Sequence, residues 1–148
     1  MKTVYFDSNI FMYLSESGYP QHDYCFALIE YCQHNQIQIK TSTETIQEII
    51  HVSKKHKAQE NGIAIAYKTI QLTEPLIAIH EMTIGKFLEL AKIYPEQDSR
   101  DLIHIAVCIA NNIPTLITYD KKMKWCKELP VVTPEEYMKR ARRTSHDE

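Results

Sequence analysis

The order of the apolar segments constrains the fold of this chain more than any other feature of its sequence. Short segments with a strand-like pattern are separated by longer segments whose apolar residues recur at helical spacing. The predicted strands cover residues 3–6, 37–42, 75–80, 114–120 and 129–132. The predicted helices cover residues 10–16, 22–34, 44–55, 58–72, 83–94, 98–112 and a last segment that begins at 134. This alternation predicts a three-layer α/β/α sandwich with a mainly parallel central sheet, whose ligand sites lie at the carboxyl ends of the strands.

The length of 148 residues suits one domain with a sizeable core and is too short for two ordinary domains. We predict a single domain over residues 1–143 and a frayed polar tail over residues 144–148. Hydrophobic residues make up 44% of the chain, charged residues 24%, and the formal net charge is -2. This charge excludes a global positive field, so a nucleic-acid partner would have to meet local basic clusters.

The four cysteines do not indicate a metal or disulfide framework. None belongs to a C-x-x-C pair, and no Cys/His cluster has the spacing of a zinc site. We interpret all four as reduced, mostly buried thiols: Cys25, Cys32, Cys108 and Cys126. The N-terminus lacks the apolar core of a signal peptide and no apolar run is long enough to span a bilayer, so we expect a cytosolic protein.

Two carboxylates follow predicted strands. Asp7 interrupts the apolar stretch "VYFDSNIF" at the end of the first strand, and Asp120 follows the strand "TLITY". Because parallel strands end at one edge of a sheet, both side chains are expected there. Asn9 is interpreted as a capping or ligand-orienting amide, and Thr118 can point to the same edge. Asp7 is also suited to cap the next helix, and Asp120 is also suited to a turn.

Two further carboxylates lie on predicted helices. Asp98 and Asp101 begin the helix "DSRDLIHIAVCIANN", where both complement the helix dipole. Asp98 fits the cap position better, whereas Asp101 faces partial burial and needs a partner or a cation. His104, one turn later, is interpreted as a packed or hydrogen-bonding residue. On the third helix, the helical pattern does not distinguish Glu48 from Glu44 or from a solvated charge.

Together these carboxylates predict a metal site. Several carboxylates at one sheet edge repel each other unless a cation is present. A donor set that contains only oxygen selects a hard cation, so Mg²⁺ or Mn²⁺ is expected. Such a site is suited to the hydrolysis of a phosphodiester.

Four segments, "VYFDSNIF", "STETIQEIIHV", "SRDLIHIAVCIANNIPTLITYD" and the following "DKKM", resemble the PIN-domain family, most nearly its single-domain VapC-type toxins. The similarity runs from Val4 to about Val132. It implies a parallel sheet between helices and Mg²⁺- or Mn²⁺-dependent endoribonuclease activity. The family often has an aromatic residue just after "DKD", where this chain has "DKKM". Residues 58–81 match none of the family's motifs.

The resemblance also implies roles for particular residues. It places the catalytic and metal-ligating acids on Asp7, Glu48, Asp101 and Asp120. It further suggests that Asn9 and Thr118 support this cluster, and it favours Glu48 over Glu44. Relatives of the toxin type form homodimers and bind a small antitoxin, so both partners are expected. The early apolar residues suit a partner surface or the core: Phe11, Tyr13, Leu14 and Tyr24.

Basic residues adjoin two of the acids. The runs "HVSKKHK" and "DKKMKW" follow Glu48 and Asp120, and "KRARR" lies near the C-terminus. The candidate RNA-binding residues are Lys54, Lys55, Lys121 and Lys122, with Trp125 as a stacking surface. Each run also suits a solvated helix face.

Two other classes of function compete with a nuclease. A non-catalytic PIN-like module that binds RNA or protein would not need four acids. A haloacid-dehalogenase-like phosphatase would need an Asp where Asn9 stands, and a receiver domain would need a phosphoacceptor Asp on the central strand, where "IAIHEMT" offers only Glu81. Both phosphate-handling alternatives are disfavoured.

Overall fold

The computed structural model describes residues 2–146 and contains one parallel sheet. Its strands are β1 (Thr3–Phe6), β2 (Gln38–Lys40), β3 (Leu116–Ile117) and β4 (Val131–Val132), in the order β2-β1-β3-β4. All three neighbouring pairs are parallel. The predicted fold class is therefore confirmed, and β1 lies inside the sheet between β2 and β3.

Helices cover both faces of the sheet. They are α1 (Ser8–Leu14), α2 (Pro20–His34), α3 (Thr43–Lys55), α4 (Gln59–Thr73), α5 (Glu81–Ile93), α6 (Ser99–Ala110) and α7 (Pro134–His146). Apolar residues of α1 to α4 and α7 form one core cluster, and those of α5 and α6 form the other. Side chains of β1 alternate between these clusters: Val4 and Phe6 belong to the first and Tyr5 to the second. This alternation places Tyr5 beneath α6.

The structure corrects the predicted strand over residues 75–80. Only one isolated bridge forms there, between Ser42 and Ile77, and the segment does not join the sheet. The backbone of Ile77 pairs with Thr41 and Thr43, beyond the end of β2. Pro75 has no backbone N–H to donate, which makes longer pairing unfavourable in this short apolar run. The predicted strands over 37–42 and 114–120 exist but are shorter.

A 3₁₀ helix over Lys121–Trp125 was missed by the sequence pattern. Only one of its residues, Met123, is buried, so the segment has no apolar periodicity. Helix α7 includes residues 144–146 of the predicted tail, and residues 147–148 lie outside the described part, so its fraying stays a prediction.

The interpretation of the cysteines is confirmed. All four are free thiols; three are buried and Cys126 is half-buried. Burial raises the pKa of Cys25 and of Cys32 to about 12, so these thiols are protonated at neutral pH. Within residues 2–146, no helix combines the length and apolarity needed to cross a membrane.

Candidate active site

A cleft of about 630 Å³ opens at the edge of the sheet where β1 and β3 end. Among the described residues, six carboxylates line it, and they include the four predicted acids. They are Asp7, Glu48, Glu96, Asp98, Asp101 and Asp120. Glu44 is not among the lining residues, so the packing of α3 distinguishes the two glutamates that helical periodicity could not. The predicted meeting of Asp7 and Asp120 at one edge is observed, while their roles as ligands stay predictions.

Asp7 combines the two interpretations that the sequence left open. Its Oδ1 accepts a hydrogen bond from the backbone N–H of Ser8 at 2.7 Å and so caps α1. Its Oδ2 accepts from the Thr118 hydroxyl at 2.7 Å and from the Asn9 amide at 3.3 Å. The residue is only 5% exposed. Its carboxylate is therefore held in one orientation at the strand exit.

Asn9 and Thr118 connect the ends of the two strands. The Asn9 amide donates to Thr118 Oγ1 at 2.9 Å, and its Oδ1 accepts from the backbone N–H of Tyr119 at 3.1 Å. Thr118 Oγ1 also accepts from the backbone N–H of Asp120 at 2.9 Å. These bonds fix the position of Asp7 relative to Asp120, which is the geometry expected of supporting residues.

The two aspartates at the start of α6 differ in environment. Asp98 caps the helix by accepting from the backbone N–H of Arg100 at 2.8 Å, as the sequence predicted, and it pairs with the Arg100 guanidinium at 3.0 Å. Those hydrogen bonds lower the pKa of Asp98. Asp101 is half-buried, and its burial together with the charges of Asp120, Asp98 and Asp7 raises its pKa to about 7. Negative charge is therefore concentrated around Asp101.

Asp120 is also a cap. Its Oδ1 accepts from the backbone N–H of Lys122 at 3.0 Å at the start of the 3₁₀ helix. The alternative interpretation of Asp120 as a turn residue is therefore correct locally. Capping uses one carboxylate oxygen, and the residue still lines the cleft.

His104 contacts two of the acidic residues from the buried side of the cleft. It is 1% exposed, and its Nε2 contacts Glu48 Oε1 and lies 3.5 Å from Asp7 Oδ1. The prediction of a packed, hydrogen-bonding histidine is confirmed, but its carboxylate partners were missed. Burial alone would lower the pKa of His104, whereas Tyr5 and the carboxylates of Asp7 and Glu48 raise it well above its ordinary value. The spacing of one helical turn between Asp101 and His104 was the available sequence signal that His104 faces the acidic cleft.

Two groups of potential metal ligands lie close together at this cleft. The ligand atoms of Asp7, Glu48 and His104 all lie within 4.8 Å of one another. Asp101 and Asp120 also line the cleft, and burial together with the charge of Asp120 raises the pKa of Asp101. This predominance of carboxylate oxygen suits a hard divalent cation better than zinc.

Cationic and aromatic side chains form the rim. Arg100, Lys122 and Trp125 line the cleft, and the Trp125 ring packs on Tyr94 with a centroid distance of 4.4 Å. Arg100 was missed, although it directly precedes Asp101 in the sequence. The other candidate RNA-binding residues do not line this cleft: Lys54, Lys55 and Lys121. Their proposed role stays a prediction.

Comparison with known proteins gives consistent results. Residues 4–127 match the family model of the PIN domain. Ribonuclease VapC23 of Mycobacterium tuberculosis is 20% identical over 117 residues, which are 79% of this chain and 92% of that protein.

Solved structures share the fold. VapBC2 from Rickettsia felis, bound to a DNA fragment from its promoter, has a TM-score of 0.72 and 20% identity, covering 87% of this chain and 96% of the other. A toxin–antitoxin complex from Klebsiella pneumoniae has a TM-score of 0.63 and 21% identity, covering 88% and 97%. At these identities the likeness shows a common architecture.

Proposed function

The chain belongs to the PIN-domain family, and from that premise we propose that it is a Mg²⁺- or Mn²⁺-dependent endoribonuclease, the toxin of a toxin–antitoxin pair. The observation that carries the proposal is the meeting of Asp7, Glu48, Asp101 and Asp120 in one cleft. The name of the relative VapC23, a ribonuclease, supports RNA as the substrate.

The residues of the cleft fit a divalent metal. Asp7, Asp101 and Asp120 would hold it, with Glu48 as a further ligand. Burial and the neighbouring carboxylates raise the pKa of Asp101, and a bound cation would offset the repulsion among these acids. When bound, Mg²⁺ or Mn²⁺ supplies Lewis-acid activation of the phosphodiester and of the attacking water.

The chain itself supplies orientation. Thr118 and Asn9 hold the Asp7 carboxylate at the strand exit through hydrogen bonds of 2.7 and 3.3 Å. Arg100 and Lys122 on the rim are suited to contact phosphates, because RNA binding depends on neutralising its backbone charge. Trp125 is suited to stack with an unpaired base.

We expect the purified protein to cleave single-stranded RNA when Mg²⁺ or Mn²⁺ is present and to stop when the metal is chelated. Restoring the metal in excess of the chelator should restore cleavage, because the folded site remains intact. Gel analysis of an end-labelled RNA provides the measurement. Metal-independent cleavage would contradict the proposal, and RNA binding without cleavage would support the non-catalytic PIN-like module.

A matched pair of variants on α3 controls for contaminating nucleases. Glu48→Gln removes a charge from the cleft and should abolish cleavage, whereas Glu44→Gln removes the same charge from outside the cleft and should leave it unchanged. Equal activity of the two variants would mean that the cleft is not the active site.

We also propose a small antitoxin and a second copy of the chain as partners. The toxin–antitoxin complex of the same fold supports the antitoxin, and exposed apolar residues on α2 and α5 offer contact surfaces, among them Tyr24, Phe26, Met82 and Leu88. Of the early apolar residues, Phe11 is buried in the core. Co-expression with the product of the neighbouring gene should give a stable complex in which RNA cleavage is suppressed. Light scattering that reports a monomer would contradict the homodimer.

A further inference from the structure

A network of buried side-chain hydrogen bonds runs from Ser42 through Tyr5 on β1 to His104 at the acidic cleft. Tyr5 Oη lies 2.7 Å from Ser42 Oγ and 2.6 Å from His104 Nδ1. His104 Nε2 in turn contacts Glu48 Oε1. Tyr5 is 0% and His104 is 1% exposed, so water does not compete for these bonds. This hydrogen-bond network thus connects α3, β1 and α6.

Ser42 shows that this arrangement replaces an ordinary local interaction. The residue occupies the N-cap position of α3, yet its side chain makes no capping hydrogen bond. Its hydroxyl instead contacts Tyr5. A capping serine contributes on the order of 1 kcal/mol to a helix. Here that contribution is absent, and the hydroxyl orients a buried tyrosine.

The contacts determine which imidazole nitrogen carries a hydrogen. In the neutral ring, Tyr5 donates to Nδ1 and Nε2–H donates to Glu48. In the cation, both ring nitrogens donate. The remaining neutral form would place an Nε2 lone pair against two carboxylates, since Asp7 Oδ1 is also only 3.5 Å away. Nε2 therefore carries a hydrogen in every form that these neighbours allow.

Glu48 depends on His104 for its position. Its side chain is 19% exposed and extends from α3 across the layer boundary. Its other hydrogen bond is a long one of 3.4 Å from Ser8 Oγ to Oε2, among the described residues. Without the imidazole, the flexible glutamate would lose its one short contact beside Asp7.

We propose that His104 is a positioning residue that holds the Glu48 carboxylate beside Asp7, with Tyr5 and Ser42 fixing the imidazole. The inference rests on the proposed function in treating Glu48 as a metal ligand. Partners of this kind orient the ligands of metal sites, and their loss weakens metal affinity by about 10- to 100-fold.

The first test uses the metal-free protein and needs neither metal nor RNA. Long-range ¹H–¹⁵N correlation spectra of the imidazoles should show that Nε2 of His104 carries a hydrogen, with the resonance assigned by its loss in His104→Asn. An Nε2 without a hydrogen would overturn the inference.

The second test measures Mn²⁺ affinity by calorimetry in two variants of different reach. The amide of His104→Gln can replace Nε2 and should stay within about threefold of the wild type. The shorter His104→Asn reaches only toward Tyr5 and should weaken binding about tenfold or more. Melting curves show whether each variant folds. If His104→Asn does not fold, Tyr5→Phe replaces it, with an expected loss of about threefold.

A double-mutant cycle separates positioning from a general structural effect. In the Glu48→Gln background, His104→Asn should change Mn²⁺ affinity by no more than about twofold, because the carboxylate through which His104 acts is gone. The same loss in both backgrounds, or no loss in either, would overturn the inference. If the variants show the expected changes in Mn²⁺ affinity but the wild-type protein does not cleave RNA, the proposed ribonuclease function is wrong and the inference stands.

Discussion

Replacing Asp101 with Asn should give a protein that is more stable than the wild type and inactive. The carboxylate is half-buried among Asp120, Asp98 and Asp7, so its charge is unfavourable in the metal-free fold. Asparagine keeps the shape and removes that charge. It also removes a metal ligand, and cleavage should fall by about 10²- to 10³-fold or more, the loss typical of a preorganised electrostatic group.

The gain in stability should depend on pH. The pKa of Asp101 is about 7 in the folded protein and 3.8 when unperturbed. Between these values the folded state binds more protons than the unfolded state, so wild-type stability falls as the pH rises and the loss is complete above about pH 7. Because the side chain is partly exposed and asparagine loses a favourable interaction with the helix dipole, we expect a net gain of about 1 kcal/mol at about pH 8. The gain should vanish below about pH 3, where the carboxyl is protonated in both states.

The control is Asp23→Asn. Asp23 also lies in the first turn of a helix, α2, but it is exposed and outside the cleft. Its replacement should lower stability slightly, by less than about 1 kcal/mol, and leave cleavage unchanged. Melting temperatures in a chelating buffer and RNA cleavage with Mn²⁺ measure both effects. An Asp101→Asn protein that is active, or that is destabilised at about pH 8, would contradict the assignment.

The same substitution at two glycines should change stability in opposite directions. A Cβ at Gly62 of α4 would overlap the side chain of Ser53 on α3, including its Cβ, which cannot rotate away. The two helices would have to separate, so Gly62→Ala should lower the free energy of unfolding by about 1–3 kcal/mol. On α5, no heavy atom of the described residues lies within 4 Å of the position that a Cβ would take at Gly85, so Gly85→Ala should raise the free energy of unfolding by about 0.5–1 kcal/mol.

Denaturant titrations of both alanine variants measure this difference. Ser53→Gly in the Gly62→Ala background should recover part of the loss, because it removes the overlapping Cβ. Gly62→Ala as stable as the wild type would mean that α3 and α4 are not in the close contact described. That contact matters for the site because α3 carries Glu48.

The sequence predicted the positions of three aspartates at the ends of strands or the start of a helix: Asp7, Asp120 and Asp98. Each follows or begins an element whose apolar pattern is local, and the carboxyl ends of parallel strands meet at one edge. Asp7 and Asp98 also cap helices, as the sequence allowed, whereas Asp120 caps the 3₁₀ helix that the sequence pattern missed. The predicted strand over residues 75–80 was wrong because a short apolar run does not reveal whether its backbone has a neighbour to pair with.

The sequence by itself determined the order of strands and helices, the parallel α/β architecture and the strand-end carboxylates. These features follow from the spacing of apolar residues along the chain and from the handedness of the backbone, and both are local properties of the sequence. The family resemblance favoured Glu48 over Glu44, and the tertiary structure places Glu48 rather than Glu44 at the cleft. Only the tertiary structure brought Arg100 to the rim and joined His104 to a carboxylate 56 residues away. Such contacts depend on how the layers are rotated and spaced against each other, and packing across the whole domain determines that geometry.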